Sequence, residues 1–413
     1  IQSIEPEIYL GSCPLMTLIS FEEKVSLPAK LKILQKLRDF FPKTQVVVAL
    51  QGDEKPEDYD LLKNAGAHYL ILSEEIKNSG KLYYLSAVLV QGAYFPVPVT
   101  DVFPSTQLSF NAYHKLLLNQ KFLPVIFSGF PISDKKYRKL EPSKQIYVRR
   151  ESLDEYRKYV EAYHDRTGSA LKKRCRVVMM NLVGIQCELL LQLTLDVEVR
   201  TEISVKEKIS RFVQSSLELG DYLQDCPDVW NVIAHSLDFK FCHYERSIYI
   251  LAYALYISAK AKLTVLSDLV MTVLLADLGI LELPVECYKT LQSRGEKQLS
   301  PQDLEYFHNH PIASLNRLKF HQVELSEEVQ SALVCTHERN DLKGFPNQVP
   351  GDKIPVAAKL IFFCELLDRR LRATQEDGIT HDFIRKQVWE EERDSLARFS
   401  ADFLDKIEKV LIA

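Results

Sequence analysis

The chain has 413 residues, of which 46% are hydrophobic and 26% charged, a composition typical of a soluble globular protein with two or three domains. Its 52 Lys and Arg residues are balanced by 56 Asp and Glu residues, and the net charge of -4 excludes a general attraction to nucleic acid or to an anionic membrane. The eight cysteines form no CxxC pair and have no disulfide-like spacing, which predicts a reducing, cytoplasmic location.

Residues 1–90 alternate between strand-like and helical patterns, which predicts an α/β region with a parallel sheet. The predicted elements are a strand at Glu7–Leu10, a helix at Ala29–Phe40, a strand at Val46–Leu50, a helix through Leu62, and a turn and strand over Ala65–Leu70. The order of these elements and the wording Gly66-Ala67-His68-Tyr69-Leu70 resemble the second half of a response-regulator receiver domain.

Receiver chemistry requires an acceptor aspartate, a hydroxyl residue and a lysine at the ends of three strands. These places fall near Gly11, Gln51 and Leu72, and none of these residues can perform the chemistry. The resemblance therefore implies a degenerate receiver that serves for contacts. The first strands of such a fold are expected upstream of Ile1, and a chain that begins with Ile offers no basis for judging a targeting signal.

Residues 91–166 predict a small α+β module with a sensory or docking role. Its predicted elements are a strand at Tyr94–Thr100, a helix at Leu108–Leu118, strands at Pro124–Ser128 and Gln145–Val148, and a helix at Ser152–Tyr163. Tyr147, Tyr156, Tyr159 and Tyr163 suggest either a stacking platform or, as helical spacing more often indicates, core positions.

Residues 167–225 predict a helical connector made of two long helices, Ala170–Leu195 and Val205–Leu219. The first is apolar, but Asn181 and Gln186 within it would be costly in lipid, so it is predicted to be buried in protein rather than to span a membrane. A coiled-coil-like seam between such helices is one route to a homodimer.

Residues 226–413 carry a series of histidines and carboxylates on helices. In chain order they are His243-Tyr244-Glu245-Arg246, Ala276-Asp277, His310-Pro311, Thr336-His337, the turn Gly344-Phe345-Pro346, and Glu365. Their order, spacing and local wording resemble the HD-GYP family, which are helical, metal-dependent phosphodiesterases that cleave the bacterial second messenger cyclic-di-GMP. The resemblance covers roughly residues 230 to 410 and implies an all-α bundle in a bacterial signalling protein.

The resemblance also implies a ligand set for metal ions. Five candidate metal ligands stand in the family's register: His243, Asp277, His310, His337 and Glu365. Asp277 would bridge two ions and would be the catalytic residue of an active enzyme. Imidazole and carboxylate ligands suit iron, manganese and zinc alike, so the expectation is one or two such ions, or none.

The chain departs from the family at residues that carry chemistry. Ala276 and Thr336 replace histidines, Ile280 replaces a lysine implied to contact phosphate, and Glu365 replaces an aspartate. We therefore predict a degenerate, catalytically inactive HD-GYP-type protein in cyclic-di-GMP signalling that acts by protein contact or ligand sensing. Two alternatives stay open: a cyclic-di-GMP phosphodiesterase with an incomplete metal site, and an interaction scaffold resembling HDOD domains that needs neither metal nor nucleotide.

Ligand and partner contacts are further implied by the resemblance. Arg339 and Lys359 are the candidate contacts to cyclic-di-GMP. Gly344, Phe345 and Pro346 correspond to a turn that the family uses towards diguanylate cyclase (GGDEF) domains, so they are the candidate contacts to such domains or to other signalling proteins. The alternative for Phe345 is that its ring packs back onto the bundle.

Overall fold

The computed structural model describes residues 15–22, 24–52, 54–116, 118, 121–163, 168–194, 202–237, 245–374, 379–395 and 397–412. The predicted strand Glu7–Leu10 and the candidate ligand His243 lie outside the described residues. The described part is mostly helical, with two small sheets in its N-terminal half.

The front region is a three-stranded parallel sheet in the order β1-β2-β3, with helices following its strands. Its elements are β1 (Met16–Ser20), α1 (Leu27–Phe40), β2 (Gln45–Leu50), α2 (Pro56–Asn64), β3 (Tyr69–Leu72), α3 (Ser73–Asn78) and α4 (Lys81–Leu89). After Gln45, the central strand β2 is a continuous apolar run, as expected for a parallel strand that is covered on both faces. The predicted parallel α/β arrangement is thus present, while the resemblance to a receiver stays a prediction.

The middle region is a four-stranded antiparallel sheet in the order β4-β7-β5-β6. Its elements are β4 (Tyr94–Pro98), β5 (Ala112–Leu116), β6 (Lys121–Ile126), α5 (Asp134–Leu140), β7 (Gln145–Arg149) and α6 (Leu153–Tyr163). The predicted helix Leu108–Leu118 is wrong, because Ala112–Leu116 pairs with both β6 and β7 as a strand. Tyr156 and Tyr159 are core residues, as their helical spacing indicated.

The helix α7 (Gly168–Thr194) is the central element of the chain and packs against α8 (Glu202–Asp225) and against the middle region. The segment Ala170–Thr194 is long and apolar enough to cross a membrane, yet 94% of its most apolar window is buried inside the protein. It therefore has the environment of a core helix, as its Asn181 and Gln186 predicted.

The C-terminal region is a helical bundle that continues the same hydrophobic core. Its helices are α9 (Val229–His235), α10 (Glu245–Ala261), α11 (Leu266–Leu275), α12 (Val285–Arg294), α13 (Pro301–His308), α14 (His310–Phe320), α15 (Glu327–Val334), α16 (Val356–Leu371), α17 (His381–Ile384), α18 (Glu390–Ser395) and α19 (Ala401–Ile412). Residues 248–255 of α10 are buried without interruption, since α8, α11, α16 and α19 all pack around this helix.

Capping residues fix where the helices that flank the site begin. Ser300 accepts a hydrogen bond from the backbone N–H of Asp303 at the start of α13, and Ser326 does the same for Val329 at the start of α15. Pro301 and Pro311 stand in the first turns of α13 and α14, where a missing N–H costs nothing. These short helices therefore present His310 and the turn after α15 at defined positions.

Candidate metal centre

Four of the five candidate ligands lie on four different segments of the bundle. Asp277 follows α11, His310 is the first residue of α14, His337 lies in the turn after α15, and Glu365 is on α16. Asp277, His310 and His337 each offer a ligand atom within 4.8 Å of the others. The register carried over from the resemblance thus brings three of the predicted ligands together in space.

The distances within this cluster suit a single metal ion. His337 Nε2 lies 3.2 Å from His310 Nε2, and His310 Nε2 lies 3.6 Å from Asp277 Oδ1. Two ligand atoms that each lie about 2.1 Å from an ion are roughly 3.0–3.4 Å apart at ordinary coordination angles. Two imidazoles and a carboxylate are also a donor set that iron, manganese and zinc accept. The residues present therefore fit one divalent ion.

The tautomer of His310 is fixed by its own helix turn. Its Nδ1 lies 2.6 Å from the carbonyl oxygen of Phe307, and a carbonyl can only accept, so Nδ1 carries the proton and donates. The lone pair is then on Nε2, which faces Asp277 and His337. Such a hydrogen bond from the distal nitrogen orients metal-binding histidines in general.

The turn that follows Asp277 is packed tightly onto α14. A Cβ atom on Gly279 would lie 2.1 Å from the carbonyl oxygen of His310, so only glycine fits this approach. Ser314, fully buried on α14, accepts from the Gly279 N–H at 2.7 Å and donates to the Ala276 carbonyl at 2.7 Å. These contacts set the position of Asp277 relative to His310.

Glu365 lies at the edge of the cluster. Its Oε2 is 3.9 Å from His337 Nδ1, and its side chain is 13% exposed. Burial raises the pKa of Glu365 to about 8, and burial together with the neighbouring His310 lowers the pKa of His337 to about 3. Without an ion, both groups are therefore neutral at pH 7.

A buried ion-pair network supports α16 behind the cluster. The Asp368 carboxylate is completely buried; Arg246 Nε donates to its Oδ2 at 3.0 Å, and Arg372 Nε lies 2.7 Å from its Oδ1. Burial raises the pKa of Asp368 despite these two guanidinium groups. Arg246 also donates to the Glu365 carbonyl at 3.0 Å, so the network fixes the turn of α16 that bears Glu365.

The predicted partner-binding turn forms one lip of the site. Buried Glu338 accepts the backbone N–H groups of Asn347 and Val349 at 2.7 and 3.0 Å, which ties the turn to the bundle. The Phe345 ring, half-buried, stacks on the imidazoles of His308 and His337, with centroids 4.2 and 4.8 Å apart. Its ring thus packs on the bundle, the alternative weighed from the sequence, while partner binding stays a prediction.

A cleft of about 670 Å³ opens above the three ligands. Seven cationic side chains line it, together with the carboxylates of Asp277 and Glu296 and the carboxyl group of Glu365. The cations are Arg246, Arg294, Lys297, Arg339, Lys343, Arg369 and Arg398. In a protein of net charge -4, this concentration of positive charge favours an anionic ligand.

The structure separates the two predicted ligand-binding cations. Arg339 lines the cleft, where its guanidinium is paired with both carboxylate oxygens of Asp341 at 2.9 and 2.6 Å. Lys359 is not among the cleft residues, and its charge interacts with Asp402 and Lys406 of α19. The sequence did not predict that Arg294, Lys297 and Arg369 line the cleft, because they come from separate elements that only the fold brings together.

The residues at the two positions where the resemblance implied histidines are buried. Thr336 is 1% exposed and its hydroxyl lies 3.2 Å from the Leu333 carbonyl, while Ala276 is 6% exposed. Ile280 lies in the wall of the cleft as an apolar residue. None of these side chains offers a good metal ligand or a cation for phosphate.

The C-terminal bundle is similar to a known protein family. Residues 229–375 match the model of the HD domain family, so the C-terminal bundle contains an HD domain. The solved structure of Bd1817, an HDG"Y"P protein from Bdellovibrio bacteriovorus, is similar to 78% of this chain over 100% of its own length, with 16% sequence identity and a TM-score of 0.44. No curated protein matches the chain.

The ionisation of Glu365 gives a pH dependence that can be measured without metal. Between about pH 4.5 and 8 the folded chain keeps the Glu365 proton that the unfolded chain loses, so this group lowers stability as pH rises. Glu365→Gln should remove this pH dependence. In chelator-treated protein, its free energy of unfolding relative to wild type should rise by at least about 1 kcal/mol from pH 5 to pH 8. Urea unfolding at both pH values measures it. Exposed Glu296→Gln is the control, and parallel curves for Glu365→Gln and wild type would contradict the assignment.

Proposed function

We propose that this chain is a degenerate HD-GYP-type signalling protein that holds one divalent ion and senses cyclic-di-GMP without hydrolysing it. The observation that carries the proposal is the convergence of Asp277, His310 and His337 within 4.8 Å in a cleft lined by seven cations. When bound, the ion supplies a Lewis-acidic anchor for a phosphate oxygen. The side chains of this chain supply the rest of the recognition.

The cations at the mouth of the cleft support an anionic, multiply charged ligand. Arg246, Arg339 and Arg398 are each paired with a carboxylate. Within the part of the chain that the structure describes, the close ion pairs of the cleft involve those three arginines and not Arg294, Lys297, Lys343 or Arg369, although the charge of Lys343 acts on Asp341 and that of Arg369 on Glu365. These four further cations suit the two phosphates of a cyclic dinucleotide, since charge-assisted contacts to phosphate are among the stronger polar interactions.

The absence of metal-binding and phosphate-binding side chains at three positions favours ligand sensing over hydrolysis. A dinuclear phosphodiesterase needs ligands for two ions that together hold the attacking hydroxide. Here Ala276 and Thr336 provide no imidazole, and Ile280 provides no cation for the phosphate. One complete set of three ligands therefore remains, which is sufficient to anchor a ligand and insufficient for two-ion catalysis.

The proposal is tested by measuring binding and turnover on the same protein. Titration calorimetry with cyclic-di-GMP in the presence of Mn²⁺ should show binding that is lost on chelation, and chromatography should show no linear dinucleotide after prolonged incubation. Robust metal-dependent linearisation would refute the sensing role. If the protein binds the ion but not cyclic-di-GMP, the proposal that cyclic-di-GMP is its ligand is refuted.

The cleft cations give a sharper version of this test. Arg294→Ala with Lys297→Ala should weaken cyclic-di-GMP binding roughly tenfold and reduce its salt dependence, because both changes remove exposed charge facing the cleft. Arg138→Ala with Lys139→Ala removes the same charge from the exposed face of α5 and is the matched control. Equal affinities for the two double variants would show that the cleft charge does not recognise the ligand.

An active phosphodiesterase is the second candidate, and the position of Glu365 favours it. The longer side chain still brings its carboxylate to 3.9 Å from His337. If turnover is found, Glu365→Gln and His337→Ala should both abolish it while the far-ultraviolet circular dichroism stays unchanged. Activity that survives both variants would exclude this centre as its source.

The turn Gly344-Phe345-Pro346 is proposed as a contact to diguanylate cyclase domains. Gly344 is buried, whereas Phe345 and Pro346 are half-exposed at the edge of a second hollow of about 380 Å³. Phe345→Ala should abolish capture of a purified GGDEF domain. A pure HDOD-like scaffold would keep that interaction on metal chelation, and capture that is indifferent to Phe345→Ala would remove the turn from the interface.

A further inference from the structure

The corner between α3 and α4 of the front region is joined to the segment that follows Asp277. The Gly80 N–H donates to the Leu283 carbonyl at 3.2 Å, and Ser79 forms an isolated antiparallel bridge with Pro284. A Cβ atom on Gly80 would lie 2.5 Å from the Tyr288 ring, so the Gly80 backbone packs directly against this side chain of α12. The front region thus contacts the bundle through main-chain atoms as well as side chains.

Buried charges cross the same corner. Lys81, only 1% exposed, pairs with Glu75 of α3 and lies 3.4 Å from Glu282. The other carboxylate oxygen of Glu282 lies 3.3 Å from Arg317 Nε. Glu282 is therefore shared between a cation of the front region and a cation of α14.

Arg317 extends this network to the central helix. Its guanidinium donates to the carbonyl groups of Leu193 and Thr194 at 2.9 and 2.6 Å, which satisfies the end of α7. Burial lowers the pKa of Arg317 to about 10 and that of Lys81 to about 8, and the nearby Glu282 carboxylate opposes the shift at Lys81. Loss of one member leaves the others poorly solvated.

The network ends at the elements that carry two of the metal ligands. Glu282 is the last residue of the 3₁₀ turn Leu278–Glu282, which begins directly after Asp277. Arg317 lies on α14, whose first residue is His310. Glu282 consequently joins the Asp277 turn, the His310 helix and the front region at one point.

We propose that Lys81 and Glu282 are positioning residues through which the front region holds the Asp277 turn against α14 and so sets the affinity of the metal centre. The proposal rests on the proposed function, because it assumes that Asp277 and His310 bind an ion. Loss of a contact that holds a metal-binding residue in place commonly changes metal affinity by about 10- to 100-fold. The alternative is that the corner only stabilises the packing of the two regions.

Metal affinity, measured on protein that is still folded, separates these roles. Lys81→Met keeps the length of the side chain and removes its charge; because it leaves Glu75 and Glu282 without this partner, it should also lower the thermal unfolding midpoint. At a temperature well below that midpoint, we expect Mn²⁺ affinity, measured by competition with a fluorescent chelator, to fall roughly tenfold. Lys81→Arg should restore affinity to within about threefold, because it keeps the charge.

Two further variants complete the experiment. Lys77→Met changes an exposed lysine of α3 and should leave Mn²⁺ affinity unchanged. Glu282→Gln weakens both ion pairs and should lower affinity at least as much as Lys81→Met. If Lys81→Met and Glu282→Gln both bind Mn²⁺ with wild-type affinity, the positioning role is overturned, although the metal site itself is then confirmed.

Hydrogen exchange distinguishes this inference from the proposed function. In metal-free protein, amide exchange within residues 278–283 should be faster in Lys81→Met than in wild type, because the turn loses its anchor. If wild type binds no Mn²⁺, the proposed function fails, and exchange still decides whether Lys81 positions the turn. Unchanged exchange would overturn the positioning role.

Discussion

Asp277→Asn should empty the metal centre. The variant keeps the volume of the side chain and replaces a carboxylate by a neutral amide, which is a much poorer ligand for a divalent ion. We expect wild type to retain close to one iron, manganese or zinc ion per chain after reconstitution and the variant to retain none, with a loss of affinity of at least about 100-fold, or roughly 2.7 kcal/mol. Elemental analysis of the purified proteins measures it.

The control for this experiment is Asp352→Asn, which makes the same chemical change at an exposed position outside the cleft. Bound metal should also raise the thermal unfolding midpoint of wild type and Asp352→Asn, and should leave that of Asp277→Asn unchanged, because an ion that binds only the folded state stabilises it. Equal metal content in all three proteins would show that the ion binds elsewhere. No metal in wild type would leave a helical scaffold whose function lies in its partners.

The sequence predicted the elements whose own pattern decides their structure. The apolar run Val46–Leu50 is a buried parallel strand, and the two long helices around α7 and α8 lie where their helical periodicity placed them. The segment Ala112–Leu116 was predicted as a helix because its apolar residues are compatible with either period. Its structure is decided by pairing with the following strand β6 and with the more distant β7, and by the packing of Tyr113 against Tyr94.

The candidate site was predictable to the extent that chain order specifies it. Asp277, His310 and His337 converge because each stands at the end of a helix or in a turn at the same end of the bundle. Lys359 does not line the cleft, for a reason that the helical period contains. It precedes Glu365 by six residues, or roughly 240° around α16, and its charge interacts with α19. The cleft cations depend on how four segments meet, which no local pattern specifies.

The network behind the metal centre leads to the largest expected loss of stability. Asp368 is completely buried between Arg246 of α10 and Arg372, the residue that directly follows α16. Asp368→Ala leaves two guanidinium groups facing each other without their shared anion, and removal of one partner of a buried pair typically costs about 3–5 kcal/mol. Urea unfolding followed by far-ultraviolet circular dichroism should show this as a lower midpoint.

Asp382→Ala is the matched control, because Asp382 pairs with Arg385 at 2.9 Å on the exposed surface of the same region. An exposed pair contributes less than about 1 kcal/mol, so this variant should unfold close to wild type. Since Arg246 also donates to the Glu365 carbonyl, Asp368→Ala should move α16 relative to His337 and weaken Mn²⁺ binding as well. A stability loss no larger than that of Asp382→Ala would mean that the burial cost of the three charges cancels their attraction, and that apolar packing around α10 alone holds α16 in place.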